Sequence, residues 1–326
     1  MIFYPQKVDK SRLMRAVDTA LAKKQIKPAT YYPTQAGSPG AQEARDAIAA
    51  GAELIIVAGG DGTIRPVLQV LANHHVLSQT DSPQSSQTPT PALGIIPVGT
   101  GNVLARNLGL PLSNMARAAT IAVAGTNRRI DVGQVTMTFA GERPNETHVF
   151  GVMAGLGLDA KIFANTNSRL KRRIGWVAYI DGGLRSLPVT FERLSVSVND
   201  QEPRHLKLHT LIVGNCGVLP GNINLMPEAR IDDGLLDLAA VGPRRIWNWI
   251  DFWNRVIVVN WLIKRVVGWR KLASQTANVK TLENLRGAKV TVKPEGTVNI
   301  QLDGDPFGPV EQAQFDVIPL AVTVRV

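Results

Sequence analysis

Glu53-Leu-Ile-Ile-Val-Ala58 is a near-continuous apolar run that opens directly onto Gly59-Gly60-Asp61-Gly62-Thr63. A strand without polar alternation must be covered on both faces, as in a parallel sheet flanked by helices. The glycines let the following backbone approach a polyphosphate and take dihedrals that a Cβ would forbid. A helix read over residues 64–75 then presents free amides and a positive dipole end to such a ligand. Thr63 is placed to cap that helix, and Pro66 is read within its first turn, where proline is tolerated. No Gly-Lys-Ser/Thr follows, so the loop is not a P-loop. Asp61 adds nothing to phosphate binding by its own charge; it suits a neighbouring Mg²⁺ or an organiser of the loop. Taken alone, the motif also fits a plain glycine-rich turn.

The pattern recurs. Ala92-Leu-Gly-Ile-Ile-Pro97 is a second buried run, followed by Val98-Gly-Thr-Gly-Asn102 and a helix over 103–108. Two such loops at the carboxyl ends of strands in one sheet define the crevice where an open α/β fold binds its ligand. Short strands at 2–4 and 29–32 and helices at 10–24 and 41–50 complete a βα alternation, which predicts a parallel sheet. Residues 78–91 carry no large apolar side chain after Ser78 and read as a mobile surface loop.

Near Arg129 the character changes to short β-rich segments, at 130–132, 135–139, 194–198, 206–213, 235–241, 289–292, 298–302 and 321–326. Several alternate with period two, which predicts an antiparallel sheet or sandwich. The boundary is expected at about 128, dividing 1–128 from 129–326; 326 residues exceed the usual size of one core.

Composition narrows the partners. Thirty-six Lys and Arg against 26 acids give a net charge of +10, which favours anionic ligands or surfaces. No aromatic-interleaved basic motif accompanies it, so nucleic acid is not expected. The single Cys216 excludes a disulfide framework, suits a reducing compartment, and reads as a buried structural thiol. His205 and His209 lie about 13 Å apart on a strand and are no metal pair. The N-terminal apolar run is too short for a signal peptide, and the apolar window 246–267 contains Asp251, Arg255, Lys264 and Arg265, which argues against a spanning helix. A cytoplasmic protein is expected.

Together these motifs resemble the diacylglycerol kinase catalytic family, which includes bacterial lipid kinases, sphingosine kinases and ceramide kinases. The resemblance runs through Tyr4-Pro-Gln-Lys7, the 59–63 loop, Gly99-Thr-Gly-Asn102 with Leu104-Ala-Arg-Asn-Leu-Gly109, and Ile130-Asp-Val-Gly133. It continues in Pro227-Glu-Ala-Arg-Ile-Asp-Asp-Gly-Leu-Leu-Asp237 and Gln301-Leu-Asp-Gly-Asp305. It implies a parallel-sheet nucleotide-binding domain of the NAD kinase/phosphofructokinase kind, joined to an antiparallel β-sandwich-like lipid-substrate domain. ATP would lie between them and a lipid hydroxyl would attack its γ-phosphate. Carried over, Gly59, Gly60, Asp61, Gly62, Thr63, Gly99, Thr100, Gly101 and Asn102 would line the ATP, with Lys7 near its phosphates. Asp232 and Asp233 resemble the place where bacterial members hold a structural Mg²⁺; an acidic turn is the alternative.

Phosphoryl transfer needs positioning, a metal and a group that receives the hydroxyl proton. The family's usual Asp-Gly-Glu is here Asp303-Gly304-Asp305. Asp305 is the expected base, with Asp303 orienting it or contacting Mg²⁺ and Asp61 a third catalytic carboxylate; a simple hairpin turn is the alternative. Val103 and Tyr4 also depart from the family pattern, where Asp and Asn are common. A kinase for a soluble acceptor and a catalytically weak lipid-binding regulator stay open as alternatives, as do the acceptor and a homo-oligomeric state.

Five of the six tryptophans fall between Trp247 and Trp269. With flanking Arg244, Arg245, Arg270 and Lys271 they suit either peripheral docking at the inner membrane face or burial against the β-domain. Arg169-Leu-Lys-Arg-Arg173 suits anionic headgroups or a solvated surface run.

Overall fold

The computed structural model describes residues 1–35, 39–79, 89–157, 191–220, 223–241 and 281–326. The tryptophan-rich segment, the 169–173 basic cluster and residues 80–88 of the polar loop lie outside the described residues.

The N-terminal part alternates as expected: β1 (Ile2–Phe3), α1 (Lys10–Lys23), β2 (Tyr32–Pro33), α2 (Ala41–Ala49), β3 (Leu54–Gly59), α3 (Asp61–Gln79), β4 (Ala92–Pro97), α4 (Val103–Asn107) and α5 (Met115–Ala124). β2, β1, β3 and β4 pair in parallel, in that order. The apolar run of β3 is sided on both faces. Ile55 and Val57 join the core under α2 and α3, with Ala44, Val67 and Leu71, while Ile56 and Ala58 join the core under α1 and α5, with Leu13, Val17 and Ala122. That double burial is what an unbroken apolar strand requires.

Three local expectations change. The second strand sits at 32–33 rather than 29–32. α3 begins at Asp61, because the Gly60 carbonyl already accepts the amides of Thr63 and Ile64 at 2.9 and 3.1 Å. Thr63 therefore lies inside the first turn rather than capping it, and Pro66 is the helix's sixth residue. α5 has no counterpart in the expected elements, although Asn114 caps it by accepting from the Arg117 amide at 3.0 Å.

The remainder is antiparallel: β5 (Asn127–Thr138), β6 (Glu146–Phe150), β7 (Met153–Leu156), β8 (Glu192–Val198), β9 (Arg204–Leu208), β10 (Thr210–Gly214), β11 (Val218–Leu219), β12 (Ile223–Asn224), β13 (Leu236–Val241), β14 (Thr281–Gly287), β15 (Lys289–Pro294), β16 (Val298–Leu302), β17 (Asp305–Val310) and β18 (Gln312–Arg325). One sheet orders β14-β13-β10-β7-β16-β17. It packs on β5, β6, β8, β15 and β18 across a core that includes Phe150, Leu211, Ile300 and Phe315, whose two phenylalanines meet edge to face at 6.1 Å. The expected 206–213 strand is two strands, since the chain changes sheets at His209.

β18 ties the halves together. Its first part pairs with β15, its last part runs parallel to β4 at Val324↔Leu93, and β5 flanks both parts. At the register shift between them, Leu320 takes φ 48° and its amide donates to the buried Asp131 carboxylate at 2.7 Å. Asp131 also accepts from the Gly234 amide at 2.7 Å, so one buried carboxylate fixes both the kink and a distant turn.

Candidate active site

Gly59 pairs with Pro97 at the last step of the β3–β4 ladder, so both glycine loops leave the sheet at the same edge. There they pack backbone to backbone. A Cβ on Gly60 would lie 3.1 Å from Gly99 Cα, and one on Gly99 would lie 2.5 Å from Gly60 Cα. This is the close approach that the glycines permit.

Two polar side chains hold the loops. Asn102, buried and at φ 47°, accepts from the Gly99 amide at 2.9 Å and donates to the Gly99 carbonyl at 2.7 Å. Asp61 reaches from the first loop to the second, where its Oδ1 accepts from the amides of Val103 and Leu104 at 2.8 and 3.3 Å. It thereby caps α4. Burial pushes the Asp61 carboxyl above the ordinary value, and the amides it receives pull it back. Arg106 closes the second loop by donating to the Gly101 carbonyl at 2.8 Å.

The opposite wall comes from the β-sandwich. β16 and β17 form a hairpin whose central residues, Asp303 and Gly304, have φ of 48° and 92°. Positive φ at both positions is the two-residue turn that matches strand twist. The expected hairpin turn is present, and it aims its two aspartates in different directions. Asp303 turns inward and accepts from the amides of Gly151, Val152 and Met153 at 2.8, 3.0 and 2.9 Å, which anchors the turn to the β6–β7 corner. Desolvation raises its carboxyl to about 6, against those three amides and with a further push from the Asp61 charge. Gln301 supports the turn from behind, its Oε1 accepting from the Gly304 amide at 2.6 Å.

Asp305 points the other way, across the gap. Its Oδ2 accepts from Arg65 Nε and Nη2 at 3.3 and 3.0 Å. Its Oδ1 faces the first glycine loop, 3.9 Å from where a Gly62 Cβ would stand.

The walls enclose a cleft of about 230 Å³. Lys7, Gly60, Asp61, Gly62, Gly99, Thr100, Gly101, Asp303 and Asp305 all line it, together with Val152 and Met153. Gly59, Thr63 and Asn102 stand behind it: Thr63 is folded under Gly59, and Asn102 is spent on Gly99. Lys7 Nζ lies 5.7 Å from the Tyr4 ring centroid. Asp232 and Asp233 are elsewhere, each held by a guanidinium: Arg128 contacts Asp232 at 2.7 Å and Arg286 contacts Asp233 at 2.6 Å. No cluster of three or more His, Cys, Asp or Glu placed to hold a metal occurs among the described residues. Sequence reasoning missed Arg65 and Gln301. Arg65 stands one helical turn after Asp61, a faint signal for the cleft side of α3.

Residues 6–135 match the diacylglycerol kinase catalytic domain, and residues 152–326 match the YegS C-terminal NAD kinase beta sandwich-like domain. The chain belongs to the diacylglycerol kinase and YegS family. It is 35% identical over 199 residues to a Pseudomonas fluorescens protein named "Probable lipid kinase YegS-like", covering 60% of this chain and 57% of that one. It is 32% identical over 187 residues to a Bacillus subtilis diacylglycerol kinase, covering 57% of this chain and 54% of the relative. The matches thus span little more than half the length of these two lipid-kinase relatives. The crystal structure of a diacylglycerol kinase from Bacillus anthracis shares the fold, with a TM-score of 0.70 at 20% identity over 99% of this chain and 94% of that one. No helix among the described residues is long and apolar enough to cross a membrane.

Proposed function

We propose that this member of the lipid kinase family binds ATP in the cleft and transfers its γ-phosphate to a hydroxyl of diacylglycerol or a related lipid. The observation that carries the reading is Asp305 Oδ1, a carboxylate oxygen presented across the cleft to the first turn of α3. The glycine contacts between the loops support the ATP half, since a Cβ on Gly60 or Gly99 would press the two loops apart at the edge of the cleft. Helix α3 directs its N-terminal amides to the same place, and Lys7 lies within the cleft lining.

In the proposed step Asp305 takes the hydroxyl proton as the lipid oxygen bonds to the γ-phosphorus. The bond from that phosphorus to the ADP oxygen breaks, leaving ADP and a phosphorylated lipid. Mg²⁺ accompanying the nucleotide would neutralise charge developing on the phosphates. Asp61 and Asp303 both spend oxygens on backbone amides, so in this reading they position the two walls, and Asp305 has the oxygen free for the acceptor. A lipid acceptor also places the enzyme at a membrane surface while it works.

The test is mass spectrometry of a lipid extract incubated with the protein and ATP labelled in its γ-phosphate, with NAD in a parallel reaction. Label in a lipid phosphate, abolished by Asp305→Ala in a folded protein, is expected. Label only in NADP, or a fully active Asp305→Ala, overturns the acceptor class or the base respectively.

A further inference from the structure

Arg65 is held by two residues of one strand. Its guanidinium donates through Nε and Nη2 to a single oxygen of Asp305, and its Cζ lies 5.1 Å from the ring centroid of Phe307. Asp305 and Phe307 both lie on β17, Phe307 at the register shift that leaves it out of the pairing with β16, and the two together clasp the guanidinium. The Arg65 side chain is only 12% exposed, against 44% for Asp305. A long, flexible side chain fixed in this way is a costly arrangement, and a rim ion pair alone does not explain it.

The geometry assigns Arg65 as the positioning residue for Asp305: it pins Oδ2, and thereby presents Oδ1 to the glycine loop. This rests on the reading of Asp305 as the base. An aspartate on a half-exposed turn otherwise samples several rotamers, only some of which point into the cleft. Arg65 comes from α3, the helix whose first turn forms the phosphate end of the cleft, whereas Asp305 comes from the sandwich. The pair therefore fixes the distance between base and phosphate site by joining the two elements that carry them. Phe307 extends the clasp, because its other neighbour is His148, 4.6 Å away ring to ring, itself 3.0 Å from Glu146. Misplacement of a reacting group by about 1 Å can cost about 100-fold in rate, so a residue that never touches the substrate can still control turnover.

The experiment measures label transfer from γ-labelled ATP to total lipid extract for the unaltered protein, Arg65→Ala, Arg65→Lys, Phe307→Leu and Asp305→Ala. Arg65→Ala is expected to lower kcat about 10- to 100-fold with little change in the KM for ATP. Arg65→Lys should recover part of the loss, since lysine keeps the charge but not the planar fork. Phe307→Leu, which leaves the ion pair intact, should lower kcat by less than Arg65→Ala and serves if that variant does not fold. Unchanged kcat in folded Arg65→Ala and Phe307→Leu overturns the assignment, as does a loss confined to the KM for ATP, which would place Arg65 on the nucleotide. Full activity of Asp305→Ala sinks the base reading itself. An inactive Asp305→Ala beside an active Arg65→Ala sinks the positioning role alone.

Discussion

Gly60 and Gly99 come from loops 39 residues apart, yet neither has room for a side chain: a Cβ on Gly99 would stand 2.5 Å from Gly60 Cα and 2.7 Å from Asn102 Oδ1. Both obstacles are rigid, one being backbone and the other a side chain already bonded at both ends. Gly99→Ala should therefore separate the loops, destabilise the fold by about 1–3 kcal/mol and weaken ATP binding at least about tenfold. Gly62→Ala is the control. Its nearest obstacle is Asp305 Oδ1 at 3.9 Å, so the variant should keep its stability. Thermal unfolding with calorimetric ATP titration checks both; equal stability for the two variants would contradict the packing argument.

Asp61 ties the first loop to the amides that start α4. Removing a capping carboxylate costs about 0.5–2 kcal/mol, so Asp61→Ala should lose about that much and raise the KM for ATP. Asp61→Asn keeps an oxygen able to accept from Val103. If Asp61 works by organising the loops, asparagine should recover stability and ATP affinity together. Recovery of stability without activity would assign it a direct part in metal binding or catalysis instead.

The glycine loops were legible because their signals are local: a buried strand, glycines and a helix start lie within a dozen residues of one another. The α/β half, with helices on both faces of its sheet, followed from the same periodicities. What escaped was set by pairing across long separations. Arg65 meets Asp305 across 240 residues, and no spacing rule reports such a contact. The same limit applied to Asp303, whose three amide partners lie some 150 residues upstream at a strand corner. Asn102 is a local case: its motif suggested a nucleotide contact, and its side-chain amide is consumed by Gly99 three residues before it. α5 was missed for a different reason. Its alanine-rich stretch has too weak an apolar contrast to stand out, although Asn114 marked its start.

The Asp232–Asp233 turn gives a metal test. Arg128 and Arg286 already occupy these carboxylates, and Arg286 also reaches Asp237 at 3.5 Å. A cation there would have to displace a guanidinium. Millimolar Mg²⁺ without nucleotide should therefore leave the melting temperature unchanged. Asp233→Ala should cost about 1–3 kcal/mol, since the carboxylate is only 20% exposed and also accepts the Leu235 amide. A Mg²⁺-dependent rise in melting temperature that Asp233→Asn abolishes would restore the metal to this turn.

Asp303 supplies the pH dependence. Its carboxyl is raised from 3.8 to about 6 by desolvation, with the three amides opposing. A carboxyl whose pKa is higher folded than unfolded binds its proton more tightly in the native state. Its contribution to stability is therefore full below about pH 4 and is lost as the pH rises through about 6. The interval corresponds to about 3 kcal/mol as an upper bound. Asp303→Asn removes the titration, so the stability of the unaltered protein minus that of the variant reports this carboxyl together with its coupling to Asp61. That difference should shrink by up to about 3 kcal/mol between pH 4 and 6.5, measured by urea unfolding at closely spaced pH values. At pH 4 the variant should be the less stable of the two, because its amide NH₂ cannot accept from the backbone donors that the second oxygen serves. A difference that grows with pH would mean that the three amides outweigh burial, and that Asp303 is held ionised throughout the working range of the enzyme.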